Sequence, residues 1–131
     1  MKIEHIAIWV KDLELMRSFY IKYFGAKSGS RYTNPKNGFS SYFLSFEDGT
    51  RIEIMNRDDI SKSQERKNMT YGFTHMAVSV GVKEDVDKLT NILRSDGYKI
   101  AGEPRTTGDG FYESVILDPE GNHIELTEQL K

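Results

Sequence analysis

Apolar and polar residues alternate singly over residues 2–10, then recur at helical spacing, and the same change of period comes round again near residue 72. In the first stretch Ile6, Ile8 and Val10 fall on one side and His5, Ala7 and Trp9 on the other, because successive strand side chains point to opposite faces. Asp12 then predicts a helix N-cap. Leu13, Met16, Tyr20, Tyr23 and Phe24 supply an apolar stripe through about residue 24, and Gly25 supplies the stop. Strands are predicted at about 26–33, 39–47 and 50–56, divided by the turn-rich Asn34-Pro35-Lys36-Asn37-Gly38 and by an Asp48-Gly49 hairpin. Residues 57–70 are polar, offer no regular apolar face, and read as a linker.

The second half predicts the same order: a strand at 72–81, a helix at 83–96 and strands at about 98–103, 110–117 and 122–128. Val86, Leu89, Ile92 and Leu93 are expected to face inward from that helix, which Gly97 ends, and Asp118-Pro119-Glu120-Gly121-Asn122 makes the last turn. The expectation is one α+β domain over residues 1–131, with a β-α-β-β-β module at 1–56, the linker at 57–70 and a second such module at 71–131. One helix covers one face of a sheet and leaves the other open. The open faces carry His5, Ala7 and Trp9 in the first half and His75, Ala77 and Ser79 in the second. Two such modules are expected to form a cup-shaped mixed sheet with the helices on the outside.

Matching positions of the two halves hold metal-capable side chains. His5 opens His5-Ile6-Ala7-Ile8, and His75 opens His75-Met76-Ala77-Val78. Glu53 lies in Ile52-Glu53-Ile54, and Glu125 lies in Ile124-Glu125-Leu126. The histidines are 70 residues apart and the glutamates 72. A lone strand histidine needs no special explanation, but two at equivalent positions, each with its equivalent glutamate, point to one metal site with ligands His5, Glu53, His75 and Glu125. His123, two residues from Glu125, has Arg51 as its counterpart and is read as lining.

Composition narrows the chemistry. The chain has no cysteine, so a metal would be held by nitrogen and oxygen alone. Two imidazoles and two carboxylates leave about two octahedral positions for neighbouring substrate oxygens, with Ni, Co, Mn, Fe and Zn all compatible. A net charge of −2 gives no electrostatic case for nucleic acid or an anionic membrane. No run approaches the roughly 20 apolar residues a bilayer span needs, and Glu4, His5, Lys11 and Asp12 break the first apolar stretch as a targeting signal. A soluble cytoplasmic protein is expected. Trp9, Phe43, Met55 and Phe111 are placed to line an apolar substrate pocket, and Arg51, Arg57 and Arg105 to anchor a substrate carboxylate. The segment Gly102 to Gly110 is read as a mobile loop, since its glycine spacing does not match a phosphate-binding motif.

Over essentially its whole length the chain resembles the vicinal-oxygen-chelate superfamily, which includes glyoxalase I, bleomycin-resistance proteins, methylmalonyl-CoA epimerases and extradiol dioxygenases. The carriers are His5 with Val10-Lys11-Asp12-Leu13, Ser18-Phe19-Tyr20, Phe24-Gly25, His75-Met76-Ala77-Val78 and, most specifically, Leu117-Asp118-Pro119-Glu120-Gly121-Asn122-His123-Ile124-Glu125-Leu126. The His-Glu-His-Glu set is similar to that of glyoxalase I, whereas epimerases typically carry Gln at the Glu53 position. The resemblance implies a metal-dependent isomerase that converts a methylglyoxal hemithioacetal to a 2-hydroxyacyl thioester, with Glu125 as general base and Glu53 as its partner. It also implies a homodimer. The alternatives are an epimerase-like proton-transfer enzyme and a small-molecule or antibiotic-binding resistance protein. Trp9 stands where glutathione-dependent glyoxalases usually carry Arg, and Asn56 lies near a position where the family often uses an Asn.

Overall fold

The computed structural model describes residues 3–60 and 71–129. They fall into two compact units, Met1–Gln64 and Glu65–Lys131. Most of the expected linker, residues 61–70, lies outside the described residues.

In the first unit the order is β1 (His5–Trp9), α1 (Leu13–Phe24), β2 (Lys27–Ser28), β3 (Tyr32–Asn34), β4 (Phe39–Ser45) and β5 (Arg51–Asn56). The sheet runs β1-β5-β4-β2, with β3 also pairing β4; β1 is parallel to β5 and the other pairs are antiparallel. The single strand expected at 26–33 is two short ones. Both pair with β4, and between them the Gly29 N–H keeps only one bond, to the Phe43 carbonyl at 2.9 Å.

Helix α1 starts where Asp12 accepts from the Leu15 N–H at 2.9 Å, and it stops at Gly25, whose φ of 64° is the left-handed conformation glycine tolerates. It packs on β4 and β5. Leu13, Met16, Phe19 and Tyr20 are thereby buried against Leu44, Ile52 and Ile54, each such side chain contributing about 1.5–3 kcal/mol of burial. Ile6, expected on the core side, is 38% exposed, because it sits on the edge strand away from the line of the helix.

The second unit has β6 (His75–Gly81), α2 (Lys83–Ser95), β7 (Ile100–Thr106), β8 (Tyr112–Leu117) and β9 (His123–Glu128), in sheet order β6-β9-β8-β7. Here too the first strand of the unit is parallel to the last, and the remaining pairs are antiparallel. Val82 precedes α2 and has no oxygen to cap with, so Asp85 reaches back to accept from its N–H at 2.9 Å. Gly81, at φ 127°, leaves room for this, since a Cβ there would come within 2.3 Å of the Asp85 carboxylate.

The buried stripe of α2 is Val86, Thr90 and Leu93, and the expected Ile92 is 42% exposed. Spacing of i, i+4 and i+7 selects position 90, and its hydroxyl is satisfied by the Val86 carbonyl at 2.6 Å and by Ser114 at 2.7 Å. Strand β7 also runs further than expected, taking in Pro104 and Arg105. The residue count slips between Gly102 and Arg105, and an edge position tolerates the proline's missing N–H. Only Thr107–Gly110 remains of the anticipated mobile loop. It is a tight turn closed by the Thr107 N–H to the Phe111 carbonyl at 2.7 Å and by the Phe111 N–H to the Thr107 hydroxyl at 3.0 Å.

Candidate metal centre

Each unit brings one histidine and one glutamate together on the sheet face opposite its helix. In the first, the parallel register sets His5 beside Arg51 and Ala7 beside Glu53. In the second it sets His75 beside His123 and Ala77 beside Glu125. The glutamate thus stands on an interior strand with a methyl group as its direct neighbour, and its carboxylate leans along the sheet toward the histidine two residues away. His5 Nε2 is 3.6 Å from Glu53 Oε2, and His75 Nε2 is 3.2 Å from Glu125 Oε2. Both carboxylates are mostly buried, while both imidazoles are about a third exposed.

The four expected ligands therefore stand as two pairs, one per unit. Among the described residues no group of three or more His, Cys, Asp or Glu side chains is gathered closely enough to hold a metal. The donor chemistry of each pair fits a divalent ion, since neutral imidazole nitrogen and carboxylate oxygen suit borderline and hard metals alike.

Glu4 was not anticipated. Its carboxylate meets His5 Nδ1 on one oxygen and the Arg51 guanidinium on the other. The hydrogen bond from His5, ahead of that from Arg51, holds the Glu4 carboxyl below its usual range. A carboxylate on Nδ1 favours the tautomer protonated there and leaves the Nε2 lone pair facing Glu53, the usual arrangement behind a metal-bound histidine. The sequence signal was adjacency alone: Glu4 is the residue just before His5, outside β1.

The expected substrate residues divide by unit. Trp9 is 44% exposed, opposite Met55, and its ring meets Phe39 edge-on at 6.2 Å, with Tyr32 a further 6.0 Å from Phe39. Phe43 meets the His5 ring edge-on at 5.2 Å and lies under Arg51 at 4.2 Å. Arg51 is thus engaged by Glu4 and Phe43, and Arg57 is held by Asp59. Asn56 donates to the carbonyls of Val10 at 2.7 Å and Lys11 at 3.2 Å, tying the end of β5 to the exit of β1. In the second unit Phe111 sits just before β8, partly buried, and Arg105 lies 4.0 Å from Glu113.

Glu113 is the second residue missed. It stands on β8 directly opposite Thr127 and shares the face of Glu125. Burial first, and then the negative Glu125, push its carboxyl above the ordinary range, with Arg105 pulling part of the way back. Period two along β8 could have exposed it, since Glu113 and Val115 fall on the face opposite the buried Ser114 and Ile116.

A family model for the Glyoxalase/Bleomycin resistance protein/Dioxygenase superfamily matches residues 2–126. Mitochondrial methylmalonyl-CoA epimerase of Bos taurus is 29% identical over 133 residues, covering 97% of this chain and 74% of that protein. The crystal structure of glyoxalase I from Zea mays matches with a TM-score of 0.79 and 25% identity over 99% of this chain. The chain spans about half of the maize protein's length, 45%. A glyoxalase family protein from Bacillus cereus has a TM-score of 0.83 at 19% identity, covering 100% of this chain and 95% of its own, which is a likeness of fold. No helix among the described residues is long and apolar enough to cross a membrane.

Proposed function

Because the chain belongs to the Glyoxalase/Bleomycin resistance protein/Dioxygenase superfamily, we propose that it is a metal-dependent isomerase of glyoxalase I type. Its substrate is the hemithioacetal of methylglyoxal or a related 2-oxoaldehyde, and its product a 2-hydroxyacyl thioester. His5, Glu53, His75 and Glu125 hold one divalent ion, and the protein works as a cytoplasmic homodimer. The observation that carries this reading is the recurrence of one His–Glu pair in the same parallel register in both units.

A bound ion of this kind supplies Lewis acidity toward two neighbouring substrate oxygens. The protein's own groups then move the proton. Glu125 takes it from the carbon beside the carbonyl, and Glu53 delivers one to the adjacent carbon. The Trp9, Phe39 and Met55 strip receives the apolar part of the substrate, and with Trp9 in place of a cation the thiol carrier need not be glutathione.

The likeness to the Bos taurus epimerase favours a second reading, proton transfer beside a thioester on the same four residues. Metal analysis followed by methylglyoxal turnover with several thiols separates the two. The isomerase reading expects one ion per site, turnover with at least one thiol, and loss of turnover on chelation. A full metal complement with no turnover on any thiol rejects it in favour of the epimerase. Tight small-molecule binding that survives chelation rejects both in favour of sequestration.

A further inference from the structure

The two half-sites are not equivalent beyond their His–Glu pairs. On β8 the position two residues before the neighbour of Glu125 is Glu113, and on β4 the corresponding position is Ser41, two residues before Phe43, the neighbour of Glu53. Glu113 is diagonal to Glu125 across the β8–β9 ladder, a separation of about 7 Å between backbones. Its side chain is 13% exposed. The nearest cation among the described residues, Arg105 on the facing edge strand, is 69% exposed and stands 4.0 Å away, beyond hydrogen-bond reach. Among the described residues no protein donor satisfies the Glu113 oxygens. A partly buried carboxylate with no protein donor, on the face of the His75–Glu125 pair, retains its capacity to accept from a ligand.

We propose that Glu113 determines specificity, accepting a hydrogen bond from an ammonium or hydroxyl group that the substrate carries a few bonds from its two chelating oxygens. This rests on the reading that His75 and Glu125 hold the ion. With Arg105 set opposite Glu113, a cationic or donor-bearing substituent takes Arg105's place at Glu113, and an anionic one is repelled by the carboxylate.

The test uses the full chain loaded with Co(II), titrated with three bidentate oxygen ligands that differ only at the far end: butyrohydroxamate, 4-aminobutyrohydroxamate and the monohydroxamate of succinic acid. Cobalt absorption reads their binding. The amino ligand should bind about fivefold tighter than the neutral one, as for a partly exposed ion pair, and the carboxylate ligand more weakly than either. Glu113→Gln should erase that order while cobalt content and butyrohydroxamate affinity hold, and Arg105→Ala should widen it. The same order in wild type and Glu113→Gln overturns the proposal, as does tightest binding of the carboxylate ligand. In either of those cases cobalt is still bound, so the metal-site reading stands. A wild-type chain that takes up no cobalt overturns both.

Discussion

Set side by side, the two units agree along their strands and disagree around them. His5 and His75, Ala7 and Ala77, Glu53 and Glu125 occupy the same places in the same parallel register. Two residues further along these strands, Trp9 and Met55 in the first unit correspond to Ser79 and Thr127 in the second, and on the neighbouring strand Ser41 corresponds to Glu113. The first open face is therefore aromatic beyond its His–Glu pair, while the second is polar and acidic. A pair whose geometry comes from ladder register survives divergence of everything beside it, because register is set by the buried face. Side chains on the open face are not held by that core.

The helices are pinned in a comparable but separately achieved way. Tyr42 donates to Glu14 of α1 at 2.6 Å with Arg17 over its ring, and Tyr112 donates to Asp87 of α2 at 2.6 Å with Lys83 over its ring. The two tyrosines are not at matching strand positions. Tyr42 lies next to Phe43, the neighbour of Glu53, whereas Tyr112 lies three residues before Val115, the neighbour of Glu125.

The strongest way to break the comparison is at the carboxylates. Glu125→Gln is expected to lower kcat by about 10³-fold and Glu53→Gln by about 10²-fold, with metal content retained in both. Steady-state turnover beside elemental analysis measures this, and equal losses would mean that the units share the proton work evenly. Core truncation comes next. Ile54→Ala and Leu126→Ala, fully buried on the strands that carry the glutamates, should each cost about 2–5 kcal/mol in urea unfolding. If only one of them destabilises, the two cores are not built alike.

Capping has a smaller effect and sharpens the difference between the units. Asp12→Ala removes the side-chain cap of α1 and should cost about 1 kcal/mol. In the second unit the vulnerable residue is Gly81, because Gly81→Ala forces Asp85 away from Val82. Thermal melts of the two variants test whether each helix depends on its own device.

The smallest effect is a titration. Hydrogen bonding to Asp87 pushes the Tyr112 hydroxyl up to about 12, above its unfolded value of 10.0. The folded state then holds a proton that the unfolded state has released, so this stabilisation is present below pH 10 and fades toward 12. Ultraviolet titration of Tyr112→Phe should lose one tyrosine ionisation near pH 12. An unchanged curve would remove the pin from the second unit.

Much of this was legible in the chain itself. Period two and the 72-residue spacing placed Glu53 and Glu125 on matching strands, Asp12 and Gly25 bounded the first helix, and the two histidines fell on the faces away from the helices. These are local properties: alternation, capping and left-handed glycine each depend on a few neighbouring residues. What only the tertiary structure decided depends on partners distant in sequence. Thr90 entered the core in place of Ile92 because Ser114 was there to meet its hydroxyl, and Ile6 stayed exposed because α1 lies over β4 and β5. Glu4 behind His5 and Glu113 beside Glu125 gained meaning only when the ladders closed. A sequence records which way a side chain points along its own strand, and only the folded sheet determines what stands across from it.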